Sequence, residues 1–299
     1  MRQLCILLLI PLLRADELTK KMTARVSEEA EAFQRLAPEV LGEETLHQKA
    51  IKPQSRFHPR VGNGAPPPPE WQERTIISEY GFTAFSSADA SSLHELRQVT
   101  SVDGKKIEDT KKAQQALAKA ITATDEARKK QLLKQFEKYG LLGAVTDYGQ
   151  ALLLFTRRNM ERYEFNLKAS ATLNGQSVRV LGYRQIDGPE AVTVIDEKRN
   201  DQVKHLRIEG ELWVRSDNFV PVRITMVAIQ GELPDRVREE ASIDYAMSAY
   251  GALLPVKTEH RETRGGRVDA ENQFSYSNFK KFGASSDIKF DSGDGKPDK

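Results

Sequence analysis

The chain has 299 residues, 39% hydrophobic and 29% charged, with a formal net charge of +2. That length allows one large domain or two small ones with a sizeable core. The near-neutral balance excludes an acid-rich tail protein and carries no nucleic-acid footprint, and no repeat of solenoid or propeller spacing is present.

The N-terminus, MRQLCILLLIPLLRADE, has the order of an export signal: Arg2, an apolar run from Leu4 to Leu13, and the small Ala15 before Asp16. The run is too short to span a bilayer as a helix. It contains Cys5, the single cysteine. Cleavage near Ala15 would leave a chain without disulfides, thiol catalysis or thiolate metal sites. The expectation is a signal peptide over 1–15 and a periplasmic or secreted product.

Residues 16–50 are expected to be a helical segment. Leu18, Met22, Val26, Ala30, Phe33 and Leu36 recur at spacings of three and four, which makes one apolar stripe. Pro38 ends it, and a second, weaker helix is expected over Glu39–Ala50. Residues 51–70 read as a linker. Pro53, Pro59 and the consecutive Pro66 to Pro69 favour extended polyproline II.

A domain over 71–282 follows. It opens with strands in TIISEYGFTAF and LHELRQVTSVDGKK, the latter with an Asp103-Gly104 turn signal. A helical insertion over 105–158 interrupts it. Ala113, Leu117, Ala120 and Ile121 share a helical face. Thr124 is placed to cap a second helix whose apolar side is Leu132, Leu133, Phe136 and Tyr139. Residues 105–138 hold ten Lys/Arg against five Asp/Glu, which suits either a solvated face or an anionic membrane surface. Residues 141–155, LLGAVTDYGQALLLF, read as a buried helix.

From Arg162 onward the pattern is almost all strand. Phe165, Leu167, Ala169 and Ala171 alternate up to Asn174-Gly175, a favoured two-residue turn that sets Ala171 opposite Val178 and Ala169 opposite Val180. In GELWVRSDNFVPVRITMVAI (210–229), a three-residue loop at Asp217–Phe219 sets Val214 against Val222 and Leu212 against Ile224. Trp213 falls on the other face. Ala241, Ile243, Tyr245 and Met247 form a further strand. In the last hairpin Leu254, Val256, Thr258 and His260 match Ala270, Asn272, Phe274 and Tyr276 if the loop is three residues, Arg264 to Gly266. Residues 283–299 are polar and glycine-rich, with the composition of a disordered tail.

Catalytic and metal signatures are missing from this pattern. The five histidines are scattered, and there is no serine-hydrolase elbow, phosphate loop or dinucleotide fingerprint. DSGDGKPD in the tail lacks the closing Glu of a calcium loop. Glu239 and Glu240 are strand neighbours that point to opposite faces. His260, near a hairpin end, is expected to be solvated, although it shares a face with Thr258 and Asn272. The expectation is no enzyme, no cofactor and no metal site.

Long strands, tight hairpins and gathered helices indicate an α+β fold: one curved antiparallel sheet with helices on its concave side. GELWVRSDNFVPVRITM (210–226), YGALLPVK (250–257) and FSYSNFKKF (274–282) together resemble the lipoprotein-localisation-factor-like family. The resemblance covers roughly residues 160–282 and implies an open half-barrel with a helical lid over an apolar cavity. The insertion at 105–158 and the proline linker have no counterpart in it, so it implies a fold and a ligand class and no functional residue.

On that basis the expected function is binding or carriage of a lipid or lipoprotein acyl chain in the cell envelope, with no nucleic-acid partner. Its candidate lining residues are Leu167, Ala169, Val180, Leu212, Val214, Val222, Ile224, Met226, Ile243, Tyr245, Val256 and Phe274. The alternative is a structural or protein-interaction module of the envelope, its concave face filled by its own helices.

Overall fold

A computed structural model describes residues 9–52, 68–84, 93–123, 126–141, 147–188, 192–196 and 202–282. The start of the expected signal peptide, most of the proline linker and the expected tail lie outside the described residues. Helix α1 (Leu9–Leu36) contains the expected stripe, with Met22, Val26, Ala30 and Phe33 fully buried. A 3-10 turn with Pro38 in its first turn ends it.

The next element corrects the sequence reading. Residues 40–51 form strand β1 (Val40–Ile51), not a helix. Alternate side chains from Val40 to Ala50 are buried, and two of them are polar, Glu44 and Gln48. Those two masked the period-2 pattern. Strand β2 (Trp71–Ala84) returns beside β1, with the Lys52 N–H donating to Glu70 O at 2.8 Å. Strand β3 (Leu93–Val102) and the short β4 (Lys105–Lys106) flank the expected turn at Asp103-Gly104.

Helix α2 (Thr110–Thr122) is capped by Asp109, which accepts from Lys111 N at 3.1 Å and Lys112 N at 3.4 Å. Helix α3 (Glu126–Tyr139) ends where Arg74 donates to Tyr139 O at 2.7 Å, a cation on orphan carbonyls. Its expected cap, Thr124, lies outside the described residues. Leu117 and Ile121 of α2 pack with Leu41, Leu96 and Leu132 of α3. Phe136 of α3 joins the main core instead. So α3 lies across the β3 end of the sheet, where bare backbone would otherwise invite pairing.

The described residues of the expected helix over 141–155 are not α-helical, and its residues 142–146 lie outside the described set. Ala151–Phe155 make a 3-10 turn with Leu152 and Phe155 fully buried. The Tyr245 hydroxyl donates to Gly149 O at 3.0 Å and accepts from Leu152 N at 3.1 Å. Side-chain anchoring here replaces a helical ladder.

The remaining strands are β5 (Tyr163–Leu167), β6 (Ala171–Leu173), β7 (Gln176–Gln185), β8 (Val192–Asp196), β9 (Gln202–Leu206), β10 (Ile208–Arg215), β11 (Pro221–Gln230), β12 (Val237–Met247), β13 (Leu253–Arg264) and β14 (Arg267–Lys281). Twelve strands make one open antiparallel sheet in the order β4-β3-β2-β1-β14-β13-β12-β11-β10-β7-β5, with β6 also on β7; β8 and β9 pair apart. The fold is an α+β curved half-barrel. Because β1 sits between β2 and β14, the linker joins neighbouring strands, and the segment before it belongs to the same sheet as the segment after it.

The hairpin registers agree with the sequence except at bulges. Ala171 faces Val178 across Asn174-Gly175, but the strand breaks at 168–170, so Ala169 leaves the ladder. Leu212 faces Ile224; a bulge then sets Val214 opposite Pro221 rather than Val222. Thr258 faces Phe274 and His260 faces Asn272, so the two faces match as expected, although each partner lies two residues beyond the one a three-residue loop would give (Asn272 for Thr258, Ala270 for His260). They do so through a two-residue Gly265-Gly266 turn followed by a bulge beyond Thr263, not through a three-residue loop.

Gly210 shows a constraint that a strand pattern cannot convey. The Tyr183 ring crosses it, and the phenol donates to Thr225 O at 2.7 Å. A Cβ on Gly210 would sit 2.0 Å from Thr225 O. Gly210→Ala should therefore lower unfolding free energy in urea by about 1–3 kcal/mol; unchanged stability would contradict this packing.

Candidate functional site

The apolar face of the sheet is the first candidate. Ile208, Leu212, Val214, Ile224 and Ile243 form one cluster with Met22, Val26 and Phe33 of α1 and with Leu152 and Phe155. Leu212, Val214, Ile224 and Ile243 are 0% exposed, which leaves no room for water beside them. The Phe155 ring lies 4.9 Å from Tyr183 and 5.1 Å from Tyr163, and Phe33 meets Phe82 edge-on at 5.1 Å. The cover is thus α1 plus the Ala151–Phe155 turn, tied together where Ser27 Oγ donates to Phe155 O at 3.0 Å.

Of the expected lining residues, Leu212, Val214, Ile224, Met226, Ile243, Tyr245 and Phe274 come together in this cluster. Val222 is half-buried at the bulge. Val180 is buried, but it pairs with Trp213 and so shares the opposite face. Leu167 (37% exposed) ends strand β5 at the sheet edge, and Ala169 is exposed in the strand break. Val256 (38% exposed) is the extra residue of a bulge between the Asp244–Lys257 and Tyr245–Pro255 pairs. Each departure comes from a break, a bulge or a change of face, none of which hydropathy reveals.

A buried polar network lies beside this cluster, and no local pattern of residues signals it. Arg97 Nε donates to Glu44 Oε1 at 2.8 Å and Oε2 at 3.0 Å, and Arg97 also donates to Glu95. Arg97 Nη1 reaches Asp147 Oδ1 at 3.3 Å, and the Glu95 N–H donates to Asp147 Oδ2 at 3.3 Å. The guanidinium stands 4.8 Å from the Phe136 ring and 5.5 Å from Tyr80. Gly149 allows the chain to pass closely here, since a Cβ would sit 2.5 Å from Tyr80 Oη and 2.7 Å from Glu95 Oε1. Three strands and the segment leading into the cover thereby share one charge.

Burial pushes the Glu95 carboxyl up to about 8, with Asp147 and Glu44 adding to the rise and Arg97 opposing it. Burial also raises Glu44 against the pull of Arg97. Asp147 stays low despite its burial, because His94, Arg97 and the Glu95 N–H favour the anion. Tyr80 and Tyr276 are pushed up by burial and by the neighbouring carboxylates.

His260 corrects an expectation: it is buried, not solvated. Its Nε2 pairs with Glu239 at 2.6 Å, its Nδ1 with Asn272 at 2.9 Å, and its ring stacks on Tyr148 at 5.1 Å. Among the described residues no His, Cys, Asp and Glu group is arranged to hold a metal ion. On the opposite face a groove of about 780 Å³ crosses Gly182; its charges are paired internally, Lys168 with Glu211 and Arg184 with Glu164, both at 2.7 Å.

No protein-family model matches the chain, and no curated protein matches it significantly. Among solved structures it is similar to a DUF1329 family protein from Desulfovibrio piger ATCC 29098 (9% identity, TM-score 0.38, 91% of this chain and 97% of that one). It is also similar to a candidate outer membrane lipoprotein-sorting protein domain from Vibrio parahaemolyticus (12% identity, TM-score 0.36, 90% of this chain and 95% of that one).

Removing the shared cation should be severe. Arg97→Met leaves buried Glu44 without its counter-ion and should destabilise the fold by about 3–5 kcal/mol in chemical denaturation; a loss under about 1 kcal/mol would show that the network is not desolvated.

The network also sets a pH dependence. Glu95 titrates near 4.5 when free and near 8 here, so across that window the folded chain holds a proton the unfolded chain has released. That share of stability is complete below pH 4.5, declines as pH rises and is gone above about 8. Glu79, pushed up to about 7 by burial, adds the same sign. Unfolding free energy should fall across this window, and Glu95→Gln should flatten part of the slope. An identical slope in the variant would place the proton elsewhere.

Proposed function

We propose that the protein is an exported envelope protein that takes an acyl chain, from a lipid or a lipoprotein, between its cover and the apolar face of its sheet. The nature of the cover supports this reading most. The face is roofed by one helix and one 3-10 turn, not by a second sheet, so opening it breaks no strand pairing.

The energetics are of one order. The three large, fully buried side chains of α1, Met22, Val26 and Phe33, contribute roughly 4.5–9 kcal/mol. An acyl chain burying about fourteen CH₂ groups in their place contributes roughly 11 kcal/mol. On that scale the ligand offsets in free energy what the displaced helix face loses. Leu212, Val214, Ile224, Met226, Ile243, Tyr245 and Phe274 are the residues the chain would touch. Export is supported by Arg2, the Leu4–Leu13 run and Ala15. Cleavage there would leave the buried stripe of α1, from Leu18 onward, intact.

A second reading has its own support. The complete burial of Leu212, Val214, Ile224 and Ile243 also fits a permanently filled core, and with it a structural or interaction module of the envelope.

Titration with the fluorescent fatty acid cis-parinaric acid separates the two. Under the acyl reading the protein shows saturable uptake, Phe33→Ala in the cover raises affinity severalfold, and Leu212→Asp stays folded but loses uptake. No uptake by wild type or Phe33→Ala, together with an unfolded Leu212→Asp, would establish the filled core.

A further inference from the structure

Helices α2 and α3 carry a marked charge asymmetry. Helix α2 buries its apolar stripe in the cluster around Leu96, and α3 divides its own between that cluster, through Leu132, and the main core, through Phe136. Their other sides expose Lys111, Lys112 and Lys119 on α2 and Arg128, Lys130, Lys134 and Lys138 on α3. The exposed acid on these helices is Glu137 alone. Among the described residues the ion pair made by this basic set is Lys130 with the half-buried Glu126, at 4.0 Å. Immediately before α2, Lys105 and Lys106, the latter paired with Asp109 at 3.2 Å, lead into Ile107, a large apolar side chain 41% exposed.

We propose that this face docks the protein on an anionic phospholipid surface. Three features select that partner. The charges are almost all lysines, which suit a diffuse anionic plane, whereas specific carboxylate recognition favours the arginine fork. No exposed aromatic side chain lies on either helix to stack a base, as a single-stranded nucleic acid requires. The exposed Ile107 beside two lysines is the pairing of apolar insertion with basic attraction found in interfacial segments. Docking here sets the β3 end of the sheet against the membrane and leaves α1 uninvolved. The inference stands on the charge and exposure of α2 and α3 and does not require acyl uptake.

The test is co-sedimentation of the full chain with vesicles of phosphatidylcholine alone, or with about one-third phosphatidylglycerol added. The apolar N-terminal run would bind both kinds alike, so the difference between them isolates the basic face. Docking predicts at least roughly tenfold stronger binding to the anionic vesicles at low salt, abolished near 0.5 M salt. Lys130→Glu combined with Lys134→Glu should weaken it by at least roughly 25-fold, with an unchanged circular dichroism melt. The same change of charge on β13, Lys257→Glu with Arg261→Glu, should alter it by less than about twofold. Equal binding to neutral and anionic vesicles would overturn the proposal, as would an unaltered partition in the α3 variant. Retention on heparin without vesicle binding would overturn it in favour of an acidic macromolecule.

Discussion

A sheet of twelve strands with one apolar face cannot leave that face in water. The rest of the molecule is arranged around that constraint. The sheet does not close on itself, so its own strands cannot supply the cover. Helix α1 and the Ala151–Phe155 turn supply it, and they come from opposite sides of the β1–β4 block in sequence. Their meeting point, Ser27 on Phe155, is where two remote segments become one surface. The same open edge accounts for α3, whose Leu132 and Phe136 belong to different clusters because the helix bridges two sides of the sheet.

The Arg97 network is a charged cluster within this interior. Such an arrangement is not a strong source of stability, because desolvation offsets most of the attraction between the charges. Its value is directional. Arg97 satisfies Glu44 from β1, Glu95 from its own strand and Asp147 from the segment entering the cover. An apolar contact tolerates sliding, and a shared guanidinium does not. The cover is therefore fixed at a polar point on one side and held by apolar packing on the other.

How much of this was legible in the sequence follows from which physical signals are local. The α1 stripe, the Asn174-Gly175 hairpin and the Leu212–Ile224 pairing were readable because periodicity and turn chemistry are carried by neighbouring residues. β1 was not, because Glu44 and Gln48 occupy inward positions where apolar residues mark a strand. Val222 and Val256 were misplaced because a single bulge residue resets the alternation, and nothing in composition announces a bulge. The network was invisible for a different reason. Arg97 lies 53 residues after Glu44 and 50 before Asp147, and each reads on its own as a solvated charge. His260 looked wet because it lies near a hairpin end, yet Tyr148 covers it from a segment far away in the chain.

The pairing of β1 with β14 has a consequence for how the chain is made. These strands lie roughly 220 residues apart, a separation that raises the entropic cost of joining them. The β2–β3 block and the β10–β13 block can each form hairpins early, but no continuous sheet exists until the last strand has emerged and met the first. Until then the apolar face cannot be completed, and a nascent chain remains a loose string of local hairpins. The topology thus ties completion of the apolar face to synthesis of the last strand, and keeps the molecule open until then.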